Sequence, residues 1–379
     1  MANLIKKIKI KKQDGTFTDY VPIGADAQNI DFNNGFNLQQ TVGNIDVDKD
    51  GTLEVQLADL KEKTAKKRDN FEFCGSYNII KAGTLDTLYT VEEEYNKYIS
   101  MWKQADIKKC CISINVCPLR AERLEYEAGT RTWENLHWTT VPSTTQLIEH
   151  FAMLEENGID CYHVKFHANW LRDTVPSSVS IDTKCAKFAE TVLTFFQNVN
   201  KEFEWIGIYN EWPEALNYTG MVNFINQLKL YGKVCIEGVG TVWQYPEITD
   251  AVDALNQHFY PSCGKLGEDT DLPFAIRRMF ENKARFENFN KWTQMTDKPI
   301  LLGEGGCISS WKKLGNPESW STVAGEVVEN GAPQTIWLRA AFKNLALYKD
   351  RIIYFNYWWI LYGNAIKLVK DYQGGLYNE

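Results

Sequence analysis

Trp205-Ile206-Gly207-Ile208-Tyr209-Asn210-Glu211-Trp212 is an apolar run that ends abruptly in Asn-Glu, and Pro299-Ile300-Leu301-Leu302-Gly303-Glu304-Gly305-Gly306 repeats the pattern further along the chain. Short apolar runs bounded by turn residues read as strands buried on both faces, as parallel sheets require. Six more such runs lie on either side of these two: Phe71–Tyr77, Lys109–Val116, Cys161–His167, Val234–Val239, Ala254–Tyr260 and Ile352–Trp358. Segments with apolar residues at helical spacing separate them: Val91–Gln104, Thr144–Asn157, Thr183–Asn200, Tyr218–Tyr231, Leu272–Met295 and Thr335–Tyr348. Eight strands with helical crossovers predict an α/β fold that closes as a (β/α)8 TIM barrel over residues 71–379. Glu211 and Glu304 then end the fourth and seventh strands, on the face where barrel active sites are built. The long aromatic-rich loops 120–143 and 308–334 belong to the same face.

Residues 1–70 differ from the rest. Leu4–Ile10 alternates apolar residues with lysine, Gln13-Asp14-Gly15-Thr16 is turn chemistry, and Phe17–Ile23 makes the second arm of a predicted β-hairpin. A short helical pattern near Leu38–Ile45 follows, then Leu53, Leu57, Leu60 and Thr64 at heptad-like spacing. So small a module lacks a core of its own, which favours an oligomer or a docked partner. Asp46-Val47-Asp48-Lys49-Asp50-Gly51 imitates the start of a calcium loop, but Leu57 stands where the bidentate glutamate belongs, so a plain turn is expected.

Composition narrows the function classes. Of 379 residues 44% are hydrophobic, and the formal charge of −8 disfavours a nucleic-acid partner. No stretch reaches the length of a membrane span, and Met1–Lys12 lacks the apolar centre of a signal peptide. The nine cysteines are scattered, several inside apolar runs, and read as buried free thiols with no metal-ligand spacing; no metal or cofactor is expected. Thirteen Trp and eighteen Tyr suit a protein that stacks on sugars, whose faces are apolar and rims polar.

Two glutamates across one barrel mouth can cleave a glycosidic bond with retention: one carboxylic acid protonates the leaving oxygen and a carboxylate about 5–5.5 Å away attacks the anomeric carbon. Glu211 is the candidate acid/base, with a pKa expected to be raised by a partly apolar site and its neighbour's charge. Glu304 is the candidate nucleophile, and Asn210 a partner for the adjacent sugar hydroxyl. His167, Trp170 and Trp212 are candidate cleft residues. Trp133, Trp138, Trp243, Trp311 and Trp320 are further candidate platforms on predicted loops. Ser309 and Ser310 have no nucleophile-elbow motif.

Residues 71–379 resemble the large clan of retaining barrel glycosidases that includes β-mannanases and cellulases. The resemblance rests on Asn210-Glu211 at the fourth strand, Glu304 at the seventh and Trp358-Trp359 at the eighth, where the clan places a tryptophan under the sugar. It implies that Trp358 lies beneath the substrate and that His258 or Tyr260, at the sixth strand, touches the nucleophile. Many members carry an arginine near the first strands. Here the second strand ends Asn115-Val116-Cys117-Pro118, Arg120 is a poor match, and the resemblance places no such residue.

Met1–Leu60 resembles the leader of tail-fibre or baseplate proteins of phages that infect Gram-positive bacteria, through Ile5-Lys6-Lys7-Ile8-Lys9-Ile10, Asp14-Gly15-Thr16 and Pro22-Ile23-Gly24-Ala25. That implies a virion protein made in host cytoplasm, docked to other tail proteins through residues 1–70, commonly as a homotrimer. Its substrate would be a bacterial surface polysaccharide. The competing expectation is a catalytically inactive barrel serving as a carbohydrate-binding receptor-recognition protein, which the unplaced arginine favours and the paired glutamates disfavour.

Overall fold

The computed structural model describes residues 8–11, 17–20, 70–79, 91–199, 201–261, 263, 272–281, 283–311 and 327–376. The chain forms two compact units, Met1–Lys67 and Arg68–Glu379. In the first, β1 (Ile8–Lys11) pairs antiparallel with β2 (Phe17–Tyr20), Ile8 opposite Tyr20 and Lys11 opposite Phe17. The calcium-loop-like segment, the helical pattern at 38–45 and the heptad seam lie outside the described residues.

In the second unit eight parallel strands make a nearly closed barrel with flanking helices, a (β/α)8 fold. They are β3 (Glu72–Asn78), β4 (Lys109–Pro118), β6 (Asp160–His167), β7 (Trp205–Ile208), β8 (Lys233–Ile236), β9 (Leu255–Asn256), β10 (Ile300–Gly305) and β11 (Ile352–Tyr357). Ladders join β8-β7-β6-β4-β3-β11-β10-β9 in that order. The remaining seam, between β8 and β9, is bridged differently: Asp253 N donates to Val234 O at 2.8 Å and Val234 N donates to Asp253 Oδ2 at 2.9 Å. A side chain thus replaces part of the missing ladder.

The helices obey elementary rules. In α3 (Thr144–Glu156), Ser143 caps the N-terminus and exchanges bonds with Gln146, a capping box. In α5 (Ile181–Asn198), capped by Ser180, the buried Cys185, Phe188, Ala189, Val192, Phe195 and Phe196 keep one face against the sheet. α1 spans Val91–Gln104, as its periodicity predicts. Other expectations were altered. The run Leu272–Met295 is two helices, α8 (Leu272–Phe280) and α9 (Lys283–Met295). The loop 120–143 contains α2 (Arg120–Glu127) and β5 (Trp138–Val141), which extends the sheet by pairing antiparallel with β4. β7 stops at Ile208 because Tyr209 and Glu211 adopt left-handed backbone, φ 53° and 52°.

The barrel interior is layered. Cys74, Tyr162, Trp205, Cys235, Ala254, Leu301 and Tyr354, drawn from seven of the strands and their ends, form an apolar plug separate from the main core between sheet and helices. All nine cysteines are free and buried, as the sequence predicts. Among the described residues no helix is long and apolar enough to cross a membrane.

Candidate active site

The left-handed residues at the end of β7 aim the candidate acid. A non-glycine residue with positive φ costs roughly 1 kcal/mol or more and persists only where the surroundings enforce it. Here Tyr209 swings outward, its ring 4.3 Å from Phe188 and its hydroxyl donating to Cys185 O at 3.0 Å. Glu211 N donates to Glu237 O at 3.0 Å, which fixes the turn to the neighbouring strand end. The Glu211 side chain remains 54% exposed at the mouth.

Glu304, within β10, is only 7% exposed. The fully buried Lys165 ammonium, from β6, donates to its Oε1. Tyr260 Oη donates to Oε2 at 2.9 Å. His258 stands between the glutamates, Nδ1 at 2.7 Å from Glu211 Oε1 and 3.6 Å from Glu304 Oε2. One carboxylate oxygen of Glu211 and one of Glu304 lie within 4.8 Å of each other.

A third glutamate lies beneath them. Glu237, just past β8, is completely buried. Its Oε1 faces His258 Nε2 at 3.3 Å and its Oε2 faces His163 Nε2 at 3.3 Å, while Asn256 Nδ2 donates to it at 2.8 Å. His163 Nδ1 meets Asn356 Nδ2 at 3.2 Å, and Tyr162 Oη donates to Asn356 Oδ1 at 2.5 Å. The glycines of the two opening motifs provide the room, since a Cβ at Gly207 or Gly303 would overlap the Glu237 carboxylate oxygens. Gly303→Ala is therefore expected to lose about 1–3 kcal/mol of stability, as overpacking usually does, read from a shifted urea midpoint. An unchanged midpoint would mean that the Asn256 amide and the Glu237 carboxylate can both move aside.

These contacts decide the charges. His258 is raised to about 10; burial opposes this, but the charge of Glu304 and the hydrogen bonds to Glu211 and Glu237 prevail. His163 is also raised to about 10, against its burial, by Cys111 and by Glu237. Burial works against the Glu304 and Glu237 carboxylates, yet both are held below their usual range: Glu304 by His258 and Lys165, Glu237 chiefly by His163. Glu211 is lowered, not raised as expected, because its hydrogen bond to His258 outweighs its partial burial. His167 is pushed down to about 3 by burial and by Lys165, so it is neutral. Three carboxylates thus face three cations, Lys165, His163 and His258. Two trios, His163/Cys235/Glu237 and Glu211/His258/Glu304, carry donor atoms close enough to share a metal ion. In each, an imidazole nitrogen already faces a carboxylate as an ion pair.

The structure gathers Glu211, His258, Tyr260 and Glu304 at one place and puts Trp358, half-buried, beside them, its ring centroid 4.4 Å from Lys165 Nζ. Asn210 is buried next to Glu211, its N bonded to Phe166 O and its Oδ1 without a hydrogen-bond partner among the described residues; the same holds for His167 Nε2. Two expected cleft residues are instead packing residues. Trp170 is buried against Tyr126 and Trp138, with Nε1 donating to Glu127 at 3.3 Å. Trp212 is 3% exposed and packs edge-on against Tyr209. Trp133 and Trp138 pack on each other, Trp243 donates to Asn288, Trp311 is half-buried, and Trp320 lies outside the described residues.

Lys165, His163 and Glu237 escaped the sequence reading of the site. The first two had a legible signal, because His163, Lys165 and His167 stand at alternate positions of an otherwise apolar strand, and such a stripe faces the barrel interior. Glu237 follows Val234-Cys235-Ile236 as Glu211 and Glu304 follow their own strands.

No protein-family model matches the chain. No curated protein matches it either. Among solved structures, a GH113 β-1,4-mannanase superimposes with a TM-score of 0.51 at 15% identity, covering 81% of this chain and 98% of its own. A family 5 glycoside hydrolase mannosidase from Rhizomucor miehei gives a TM-score of 0.48 at 13% identity, covering 82% and 96%. The cellulose synthase subunit Z of Clostridioides difficile gives 0.46 at 13% identity, covering 81% and 100%. The mannanase match agrees with the barrel built above from strand order; at this identity the likeness is one of fold.

Proposed function

We propose that the chain is a retaining glycoside hydrolase with Glu304 as nucleophile and Glu211 as acid/base. The observation that carries this reading is the approach of the two carboxylates to within 4.8 Å at strand ends separated by two others around the barrel mouth, with His258 between them. That approach is closer to the roughly 5–5.5 Å of retaining enzymes than to the roughly 6.5–9.5 Å of inverting ones, which supports the retaining reading. Glu304, ionised and held by Lys165 and Tyr260, attacks the anomeric carbon as the bond to the leaving oxygen breaks. The proton shared by Glu211 and His258 goes to that oxygen. Water then displaces Glu304 from the anomeric carbon and returns a proton to the pair. The β-1,4-mannanase whose barrel resembles this one lends the reading support.

Lys165 supplies the positive charge that the sequence left unplaced, which weighs against an inactive binding barrel. The substrate we propose is a polysaccharide of the bacterial surface, reached from a phage tail, on the strength of the leader's motifs in residues 1–60. Incubation with purified Gram-positive surface glycans and β-linked polysaccharides should release reducing ends whose anomeric configuration, read by proton NMR before mutarotation, is that of the substrate. Inverted product would reject the mechanism, and tight binding of a glycan without turnover would favour the receptor reading.

The charges set a pH profile. The acid limb belongs to Glu304, lowered from its ordinary value, and the alkaline limb to the proton on the Glu211–His258 pair, with His258 raised to about 10. kcat/KM should accordingly stay level through neutrality and decline only as the pH approaches 10. A decline centred near pH 6 to 7 would mean that His258 carries an ordinary imidazole.

A further inference from the structure

Glu237 has no part in bond cleavage as described, yet the interior is arranged around it. Two strands leave out side chains at Gly207 and Gly303 where its carboxylate lies, and Asn256 donates to it. Its two oxygens face two different histidines, and one of these, His258, reaches Glu211 through its opposite ring nitrogen. Resting on the glycosidase reading above, we infer that Glu237 is a positioning residue: it anchors His258 through Nε2 so that the proton on Nδ1 is held ready for Glu211. Glu237, His258 and Glu211 then form a relay in which the histidine keeps the acid's proton while Glu211 is open to solvent. When substrate covers Glu211, its carboxylate loses water and the proton passes from Nδ1 to it; His258 becomes neutral with its remaining hydrogen on Nε2, facing Glu237.

The groups facing this relay come from every neighbouring strand. His163 and Lys165 belong to β6, with His167 at its end; Cys235 is on β8, Asn256 on β9, Tyr260 beyond it, and Glu304 on β10. Arg285 Nε donates to His258 O at 3.3 Å; Arg172 Nη1 donates to Glu211 O at 3.1 Å while its Nε and Nη2 pair with Asp173, and its charge adds to those of His258 and Lys165 in lowering Glu211. His163, on the far side of Glu237, competes for the same negative charge, which makes Glu237 the shared counter-ion of two imidazoles.

The chain has five histidines, few enough for nitrogen-15 NMR to resolve each ring, with His258 assigned through the His258→Asn variant. In the wild type His258 should be protonated on both nitrogens at pH 8. In Glu237→Gln, which keeps the shape and removes the charge, it should be neutral at that pH, and in Glu237→Asp it should stay charged. A neutral His258 in the wild type, or an unchanged one in Glu237→Gln, would overturn the inference without reference to activity. Should Glu237→Gln fail to fold, the titration midpoint of His258 should fall in Glu237→Asp, whose shorter side chain draws the carboxylate away from Nε2, and an equal midpoint would overturn the inference.

The kinetic arm uses phenyl and 2,4-dinitrophenyl β-mannosides and β-glucosides. Loss of proton delivery in Glu237→Gln should lower kcat/KM for phenyl glycosides about 10²-fold and leave the dinitrophenyl glycosides, which need no acid, within about threefold. Its alkaline limb should also move to lower pH. Equal losses on both leaving groups would reduce Glu237 to a structural residue. If wild type cleaves none of these and no polysaccharide, the glycosidase reading fails, and the NMR result alone stands for or against the anchoring of His258.

Discussion

Glu304→Gln should lose roughly four orders of magnitude or more in kcat on any substrate the wild type cleaves, because no other group can form the covalent intermediate. A buried acid of this kind invites the objection that the variant merely misfolds, since Lys165 would keep its charge without a partner. Azide answers it. Added to Glu304→Gly, where the space is open, azide should attack the anomeric carbon directly and give a glycosyl azide of inverted configuration from an activated aryl glycoside. Added to Glu211→Gly it should give one of retained configuration, because there the covalent intermediate still forms. The two product stereochemistries assign the two glutamates separately. If Glu304→Gln kept activity near that of the wild type, the site would be misidentified.

Lys165→Met is expected to be the most destabilising single change in the barrel, by about 3–5 kcal/mol at neutral pH, because it leaves the Glu304 carboxylate buried beside fewer donors. The Lys165 amine is raised and the Glu304 carboxyl lowered in the folded chain. Their mutual stabilisation is therefore present between the unfolded values of the two groups, about pH 4.3 and 10.4. It is lost as acid protonates Glu304 below its unfolded value, or as base removes the ammonium proton above that of lysine. Urea midpoints of wild type and variant should converge toward pH 3 and separate near pH 7. A constant difference across that range would assign the loss to packing against Trp358 and Ser76, which Lys165 also touches, and not to charge.

The same residues show what the sequence could and could not tell. Strand order was legible because each buried parallel strand is a short apolar run, and the mouth followed from where those runs end. Glu211 and Glu304 were visible because a charge terminating an apolar strand is conspicuous. The sign of the Glu211 shift was not, because it depends on His258, forty-seven positions away and brought to 2.7 Å only by barrel closure. Trp170 and Trp212 misled for a related reason. An aromatic residue after a strand can face the cleft or the helices, and composition cannot say which; the left-handed backbone at Tyr209 and Glu211 turned the chain so that Trp212 went inward. Lys165 looked like one more strand residue until the fold set it against Glu304.

The vacant positions at Gly207 and Gly303 also bear on inheritance. An alanine at either position conflicts with Glu237; in a chain that has already lost Glu237 an alanine at 207 would meet only His163 Nε2, at 3.0 Å, whereas one at 303 would still meet Asn256 Oδ1 at 2.1 Å. The effects at 207 and 237 are therefore epistatic, and the order of substitution matters: the carboxylate must go before β7 can fill, and at 303 Asn256 must give way as well. Descendants that keep the acid are confined to glycine in both strands. Those that abandon it can pack the space beside Gly207, and once they have done so the way back is closed.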